Sequence, residues 1–224
     1  MAVVGADGAG KSSLLRELPR ILPMRISTLY MGVNLEASSV MLPTTRLIVA
    51  LKRIRGHRPR MLASPASEAS ARPPSPARRL AGTLKSGLRM ANWIAEEWFR
   101  QAIVSWRQRR DDVVLLDRHF IADYFAYDVL APGKSVSRRL HGYLLRRFYP
   151  RPDLVICLDA PPEVLRARAG EGSLEYLARR RREYLGLGQV FSTFHIVDAA
   201  RRPEEVRSEV AALIADFYRG HAAP

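Results

Sequence analysis

Cysteine is almost absent: Cys157 is the single one in 224 residues. One thiol cannot close an internal disulfide, so a secreted disulfide scaffold is excluded and a reducing cytoplasm is the expected location. Lysine is scarce too, limited to Lys11, Lys52, Lys85 and Lys134. Acidic residues number 22 against 36 basic ones, leaving a net charge of +14 and an isoelectric point near 10.8. Such an excess favours anionic partners: phosphates, nucleic acid or an acidic membrane surface. Because arginine bias also follows from genomic base composition, the charge indicates anions and little more. No apolar run approaches the ~20 residues that a membrane span needs. The first ten residues lack the basic start of a signal peptide. Hydrophobic residues at 47% and charged ones at 26% are ordinary globular usage and exclude wholesale disorder. The length suits one α/β domain with a single core.

What is present alternates between two periods. Ala2-Val3-Val4 reads as a strand that ends at Gly5. It is short for a central strand, which points to a start lying upstream or to a clipped first strand. Residues 11–18 have helical periodicity that stops at Pro19, 25–30 read as a second strand, and 44–55 as a helix. Residues 56–79 hold little to bury: the stretch from His57 to Arg79 has five prolines, four serines and five arginines. Burial there cannot offset the entropy of ordering, so a mobile basic insertion is expected. A long amphipathic helix follows over 80–109. Val113-Val114-Leu115-Leu116 is apolar throughout, as a strand covered on both faces must be, and 154–158 repeats the pattern. A weaker strand is expected at 194–197, with helices at 122–130, 136–148, 162–169, 173–185 and 203–218. Strands alternating with helices imply a doubly wound, five-stranded parallel sheet in a three-layer α/β fold.

Gly5-Ala6-Asp7-Gly8-Ala9-Gly10-Lys11-Ser12 fits G-x-x-x-x-G-K-[ST] at every fixed position, between a strand and a helix. In such a P-loop successive backbone N–H groups turn inward, and the helix N-terminus adds partial positive charge for phosphate. Asp7 to Ser13 are the expected ATP-binding run: Asp7, Gly8, Ala9, Gly10, Lys11, Ser12 and Ser13. Lys11 is expected to bridge the β- and γ-phosphates, and the Ser12 hydroxyl to ligate Mg²⁺. Asp117 closes the apolar strand 113–116. An acid at the C-terminal edge of a strand beside the loop is placed to hold Mg²⁺; the plain alternative is a helix cap.

GADGAGKSS, LLDRH, PDLVICLDAPPEVLRAR and HIVDAARRPEEV, in that order, resemble thymidylate kinases and related nucleoside monophosphate kinases. The resemblance covers the loop and essentially everything after residue 90. It implies a single P-loop kinase domain over 1–224 with a helical lid at 166–182 that closes over the triphosphate. It also implies that Asp117 assists Mg²⁺, that Arg118 grips the acceptor anion, and that Asp7 contacts the acceptor sugar. The loop slot that carries a basic residue in some family members is Gly8 here. The lid must then supply the cation: Arg168 first and Arg182 second, with Arg180 and Arg181 as readily a solvated helix face. Arg118 could instead pair with Asp123, and His119 could line the acceptor pocket or simply pack. The helix before the third strand offers Glu97 and Arg100 to the acceptor; Trp93 and Trp98, at helical spacing, read as core. The Arg-Glu-Pro-Gly-like segment typical of thymidylate kinases is replaced by Tyr30-Met31-Gly32-Val33-Asn34. Thymidine monophosphate is therefore expected to be a poor acceptor. The resemblance also implies a homodimer through helices flanking the third strand, although the apolar face of 80–109 fits intramolecular burial equally.

Three functions fit these residues. The first is ATP- and Mg²⁺-dependent transfer of the γ-phosphoryl group to a nucleoside monophosphate or similar phosphate. The second is a P-loop kinase acting on a sugar or other hydroxyl, for which Asp7 or Asp123 would be the carboxylate. The third is a nucleotide-binding regulator; its basic insertion lacks interleaved aromatics, so no specific nucleic acid is expected as partner. Nothing in the histidine spacing or in Cys157 supports a zinc site or a cysteine nucleophile.

Overall fold

Aliphatic runs separated by helices place five strands side by side: β1 (Ala2–Val4), β2 (Ile26–Tyr30), β3 (Val113–Asp117), β4 (Val155–Asp159) and β5 (Phe194–Asp198). They form one sheet in the order β2-β3-β1-β4-β5, with every neighbouring pair parallel. The computed structural model describes residues 1–34, 38, 40–54, 76–110, 113–170 and 172–222. The helices are α1 (Lys11–Ile21), α2 (Pro43–Ile54), α3 (Pro76–Arg107), α4 (Phe120–Tyr124), α5 (Val136–Arg147), α6 (Pro162–Ala169), α7 (Leu174–Leu185) and α8 (Pro203–Ala222). β1 is buried throughout, and β3 and β4 are buried in all but their final residue. That burial requires cover on both faces, hence the unbroken aliphatic runs. β5, at the edge, leaves Ile196 55% exposed, which is why its pattern is weak in the sequence. The fold is the three-layer, doubly wound α/β arrangement expected of a P-loop kinase.

The register sets the site. Val3 pairs with Asp117, Tyr30 also pairs with Asp117, and Asp159 pairs with Asp198. The ends of β2, β3, β4 and β5 thus lie level with the loop that leaves β1. Ligands of open parallel sheets bind outside these carboxyl ends, where the strand order reverses.

Three boundaries differ from the sequence reading. α1 runs through Pro19 to Ile21. Proline in a last turn sacrifices only its own N–H, and the Leu22 N–H still reaches the Leu18 carbonyl at 3.1 Å. α3 begins at Pro76, so residues 76–79 belong to a helix rather than to the expected insertion. Proline at a first helical position loses no bond, because that N–H has no intrahelical acceptor. The rest of the insertion, 56–75, lies outside the described residues. Finally, the helix expected at 122–130 is α4 followed by a wide π-helical turn over Phe125–Leu130. Such turns keep the backbone bonded while redirecting side chains.

Candidate active site

The loop over residues 5–10 wraps the head of α1. Lys11 is buried, and its Nζ donates to the Ala6 carbonyl at 2.7 Å, across the loop's own mouth. Burial, followed by the Arg118 charge, lowers the Lys11 ammonium from 10.5 to about 8, although Asp7, Asp117 and Asp123 oppose this.

The Ser12 hydroxyl donates to Asp117 Oδ2 at 3.0 Å, joining α1 to the end of β3. The other carboxylate oxygen, Oδ1, is buried and has no hydrogen-bond partner among the described residues. A spare carboxylate oxygen beside a serine hydroxyl fits Mg²⁺, which takes one or two protein oxygens and keeps water and phosphate for the rest. Among the described residues no three His, Cys, Asp or Glu side chains converge into an all-protein metal cage.

Arg118 follows Asp117 with φ +66°, in the left-handed region that a residue with a Cβ enters at a cost of about 1–2 kcal/mol. Its N–H donates to the Val3 carbonyl at 3.0 Å. Its guanidinium contacts Asp7, donates to the Tyr184 hydroxyl at 3.0 Å and lies 3.8 Å from Asp123. Burial works against the Arg118 charge, but Tyr184, Asp123 and Asp7 outweigh it and hold the group above the usual arginine range.

Arg180 joins the same cluster from α7. It donates to Asp123 at 3.2 Å and to the Tyr184 hydroxyl at 2.9 Å, lies over the Tyr184 ring, and pairs with Glu183 at 2.6 Å. Tyr184 donates its own proton to Asp123 Oδ1 at 2.7 Å. Asp123 Oδ2 stays buried without a partner among the described residues. Arg181, one residue on, leaves this cluster and grips both oxygens of Asp159 at 2.7 Å.

The remaining expected residues divide. Arg168 donates to the Ala199 carbonyl at 2.6 Å, so it meets the loop after β5 rather than the Arg118 cluster. Arg182 is exposed. Arg100 is 3% exposed, paired with Glu96 at 3.0 Å and donating to the Gly32 carbonyl at 2.9 Å. Gly32 lies against Arg118: a Cβ there would stand 2.7 Å from its Cδ. His119 does not open onto a pocket. It is 1% exposed, its Nδ1 accepts from the Ile121 N–H at 3.2 Å to cap α4, and burial keeps it neutral, down to about 3. Cys157 is buried in β4, and burial raises its thiol to about 12, which leaves it protonated.

Glu97 is also elsewhere. It accepts from His141 Nε2 at 3.0 Å and from the Tyr149 hydroxyl at 2.5 Å, while Asp128 holds His141 Nδ1 at 2.7 Å. Trp93 and Tyr124 pack against the imidazole. This network ties α3, the π-helical turn and α5 together in the interior. Burial opposes the His141 charge, but hydrogen bonds to Asp128 and Glu97 raise it from 6.5 to about 9. A histidine raised on folding contributes fully below pH 6.5 and loses that contribution as pH climbs through 9. Lys11, lowered on folding, has the opposite slope above pH 8. The His141 share is therefore read as the difference between wild type and His141→Gln. Urea unfolding should show the wild-type advantage shrinking by on the order of 2 kcal/mol between pH 6 and 8. Parallel pH profiles would mean that His141 is neutral in the fold.

No family model matches the chain. A probable thymidylate kinase of Pyrobaculum aerophilum is 34% identical over 116 residues, 49% of this chain and 58% of that protein. Probable thymidylate kinase 1 of Saccharolobus solfataricus is 28% identical over 123 residues, 51% of this chain and 62% of that protein. A probable thymidylate kinase of Pyrococcus abyssi is 34% identical over 110 residues, 46% of this chain and 51% of that protein. The chain thus spans between half and two thirds of the length of the curated relatives it matches. No helix among the described residues is long and apolar enough to cross a membrane.

Proposed function

From the premise that the chain is thymidylate kinase-like, we propose that it transfers the γ-phosphoryl group of ATP to a small anionic acceptor of the nucleoside monophosphate class. The reading is carried by one observation: Ser12 donates to Asp117, whose second oxygen is buried and unpaired, directly beside the buried Lys11. Loop N–H groups and the head of α1 hold the phosphates. Lys11 exchanges the Ala6 carbonyl for phosphate oxygens, which restores its charge above the lowered value of the free loop. Ser12 and Asp117 would hold Mg²⁺, which neutralises the triphosphate and polarises the γ-phosphorus. Arg118 gives up Asp7 for the acceptor anion while Tyr184 and Asp123 keep its guanidinium aimed. Arg180, on the same Asp123 and Tyr184, adds a second cation. Arg168 and Arg182 remain the lid cations that the resemblance implies. A phosphate acceptor is already ionised, so positioning and charge carry the reaction without a general base.

Acceptor screening with ATP and Mg²⁺, read as ADP release, tests this. Arg118→Ala should raise KM for the acceptor by 10-fold or more with KM for ATP changed much less, the scale expected for one charge-assisted contact. An effect confined to ATP would remove the assignment. One observation favours a second reading, transfer to a hydroxyl: the spare Oδ2 of Asp123 beside Arg118 could take its proton. ADP release with sugars but with no nucleoside monophosphate would decide for it.

A further inference from the structure

α5 crosses the π-helical turn backbone to backbone. A Cβ on Gly142 would stand 2.1 Å from the Asp128 carbonyl oxygen, so glycine alone permits the approach. Side chains on either side of this contact cannot fill the seam, and a depression of about 230 Å³ remains on the surface. Asp128, Lys134, Arg139, Tyr143 and Arg146 line it together with Gly142.

Its charge is one-sided. Lys134 is anchored, its Nζ donating to the Val129 carbonyl at 2.6 Å. Arg139 and Arg146, seven residues apart on one face of α5, have no acidic partner within ion-pair distance among the described residues. Tyr143, between them, is 50% exposed. The one acid in the lining, Asp128, has a side chain 2% exposed and is already engaged by His141 and by Arg138 at 3.6 Å. Three cations therefore line a concavity with no free carboxylate, and no residue of the P-loop belongs to it.

We infer that this depression is a second anion site, which takes the di- or triphosphate group of a small phosphorylated ligand. Its volume is below the roughly 300 Å³ at which pockets begin to enclose whole small molecules, so the anionic group enters and the rest of the ligand stays outside. Guanidinium forks match phosphate oxygens in pairs, and an anchored ammonium adds a third contact from the rim. A nucleic acid backbone is less suited, because it needs a charged track whereas these cations surround a single point.

Calorimetric titration of the full chain with inorganic pyrophosphate tests the inference. The P-loop also takes pyrophosphate, so Lys11→Ala is titrated beside Arg139→Ala/Arg146→Ala. Both substituted arginines are exposed, and unchanged circular dichroism checks the fold. Lys11→Ala should keep one binding event that moves the Gly142 and Tyr143 amide resonances, and the arginine pair should weaken that event by at least ~10-fold. Loss of all binding in Lys11→Ala, or equal affinities in wild type and the arginine pair, would overturn the site. A short oligonucleotide that displaces pyrophosphate at lower concentration would reassign the face to nucleic acid. A failure of the kinase reading appears separately, as the same isotherm in wild type and Lys11→Ala.

Discussion

Lys11→Ala is expected to lower turnover by on the order of 10²–10³ while the fold is kept, taking the loss of one preorganised charge as the guide. The ammonium is buried, and it donates to a carbonyl of its own loop, so its removal releases a desolvated charge without breaking a core contact. Its lowered value, about 8, makes the free loop lose charge in mildly alkaline solution. Capture of ATP should then decline above pH 8, whereas turnover at saturating ATP should decline later, because bound phosphate raises the ammonium again. Steady-state ADP release across pH 6.5–9.5, with a thermal melt of each protein, measures both effects. Near-normal turnover in a folded Lys11→Ala protein would remove phosphate binding from this loop.

A comparable loss is expected from the smallest change in the loop, Gly8→Ala. Gly8 has φ +85°, and a Cβ there would stand 2.3 Å from the Leu165 carbonyl oxygen. The obstacle is backbone of α6, so no rotamer relieves it. Either the loop lifts away from α6 or α6 retreats from the sheet. Both disturb the N–H cradle, so KM for ATP should rise at least ~10-fold, with several degrees lost in Tm from left-handed strain plus the clash. The same contact leaves no room for an arginine at this loop position. An unchanged KM and Tm would show that the loop has slack at position 8.

The loop, Asp117 and the sheet were legible because each is written in a short window: glycine spacing, an acid closing four aliphatics, and strands alternating with helices. Arg180 was not. Within Arg179-Arg180-Arg181-Arg182 the residues differ only by face, and the face is set by remote partners: Asp123 and Tyr184 for Arg180, Asp159 for Arg181. The available signal was Tyr184, four residues after Arg180 and therefore above it on the helix. Glu97 was misplaced for a related reason. His141 and Tyr149, which claim it, lie 44 and 52 residues away, and no local pattern joins them. His119 reads as a pocket residue beside Arg118, yet its chain turns back to cap the helix that it begins.

The tight seating of Gly8 on Leu165 also couples the loop to a helix that lies far along the chain. A change in the loop at Gly8 is felt directly by α6, because backbone meets backbone there with no side chain between them to give way. α7 follows, since its Leu177 and Tyr184 are buried in the core while Arg180 and Arg181 reach Asp123 and Asp159. Arg168, near the end of α6, and Arg180, on α7, are therefore both positioned by packing that begins at one glycine of the loop.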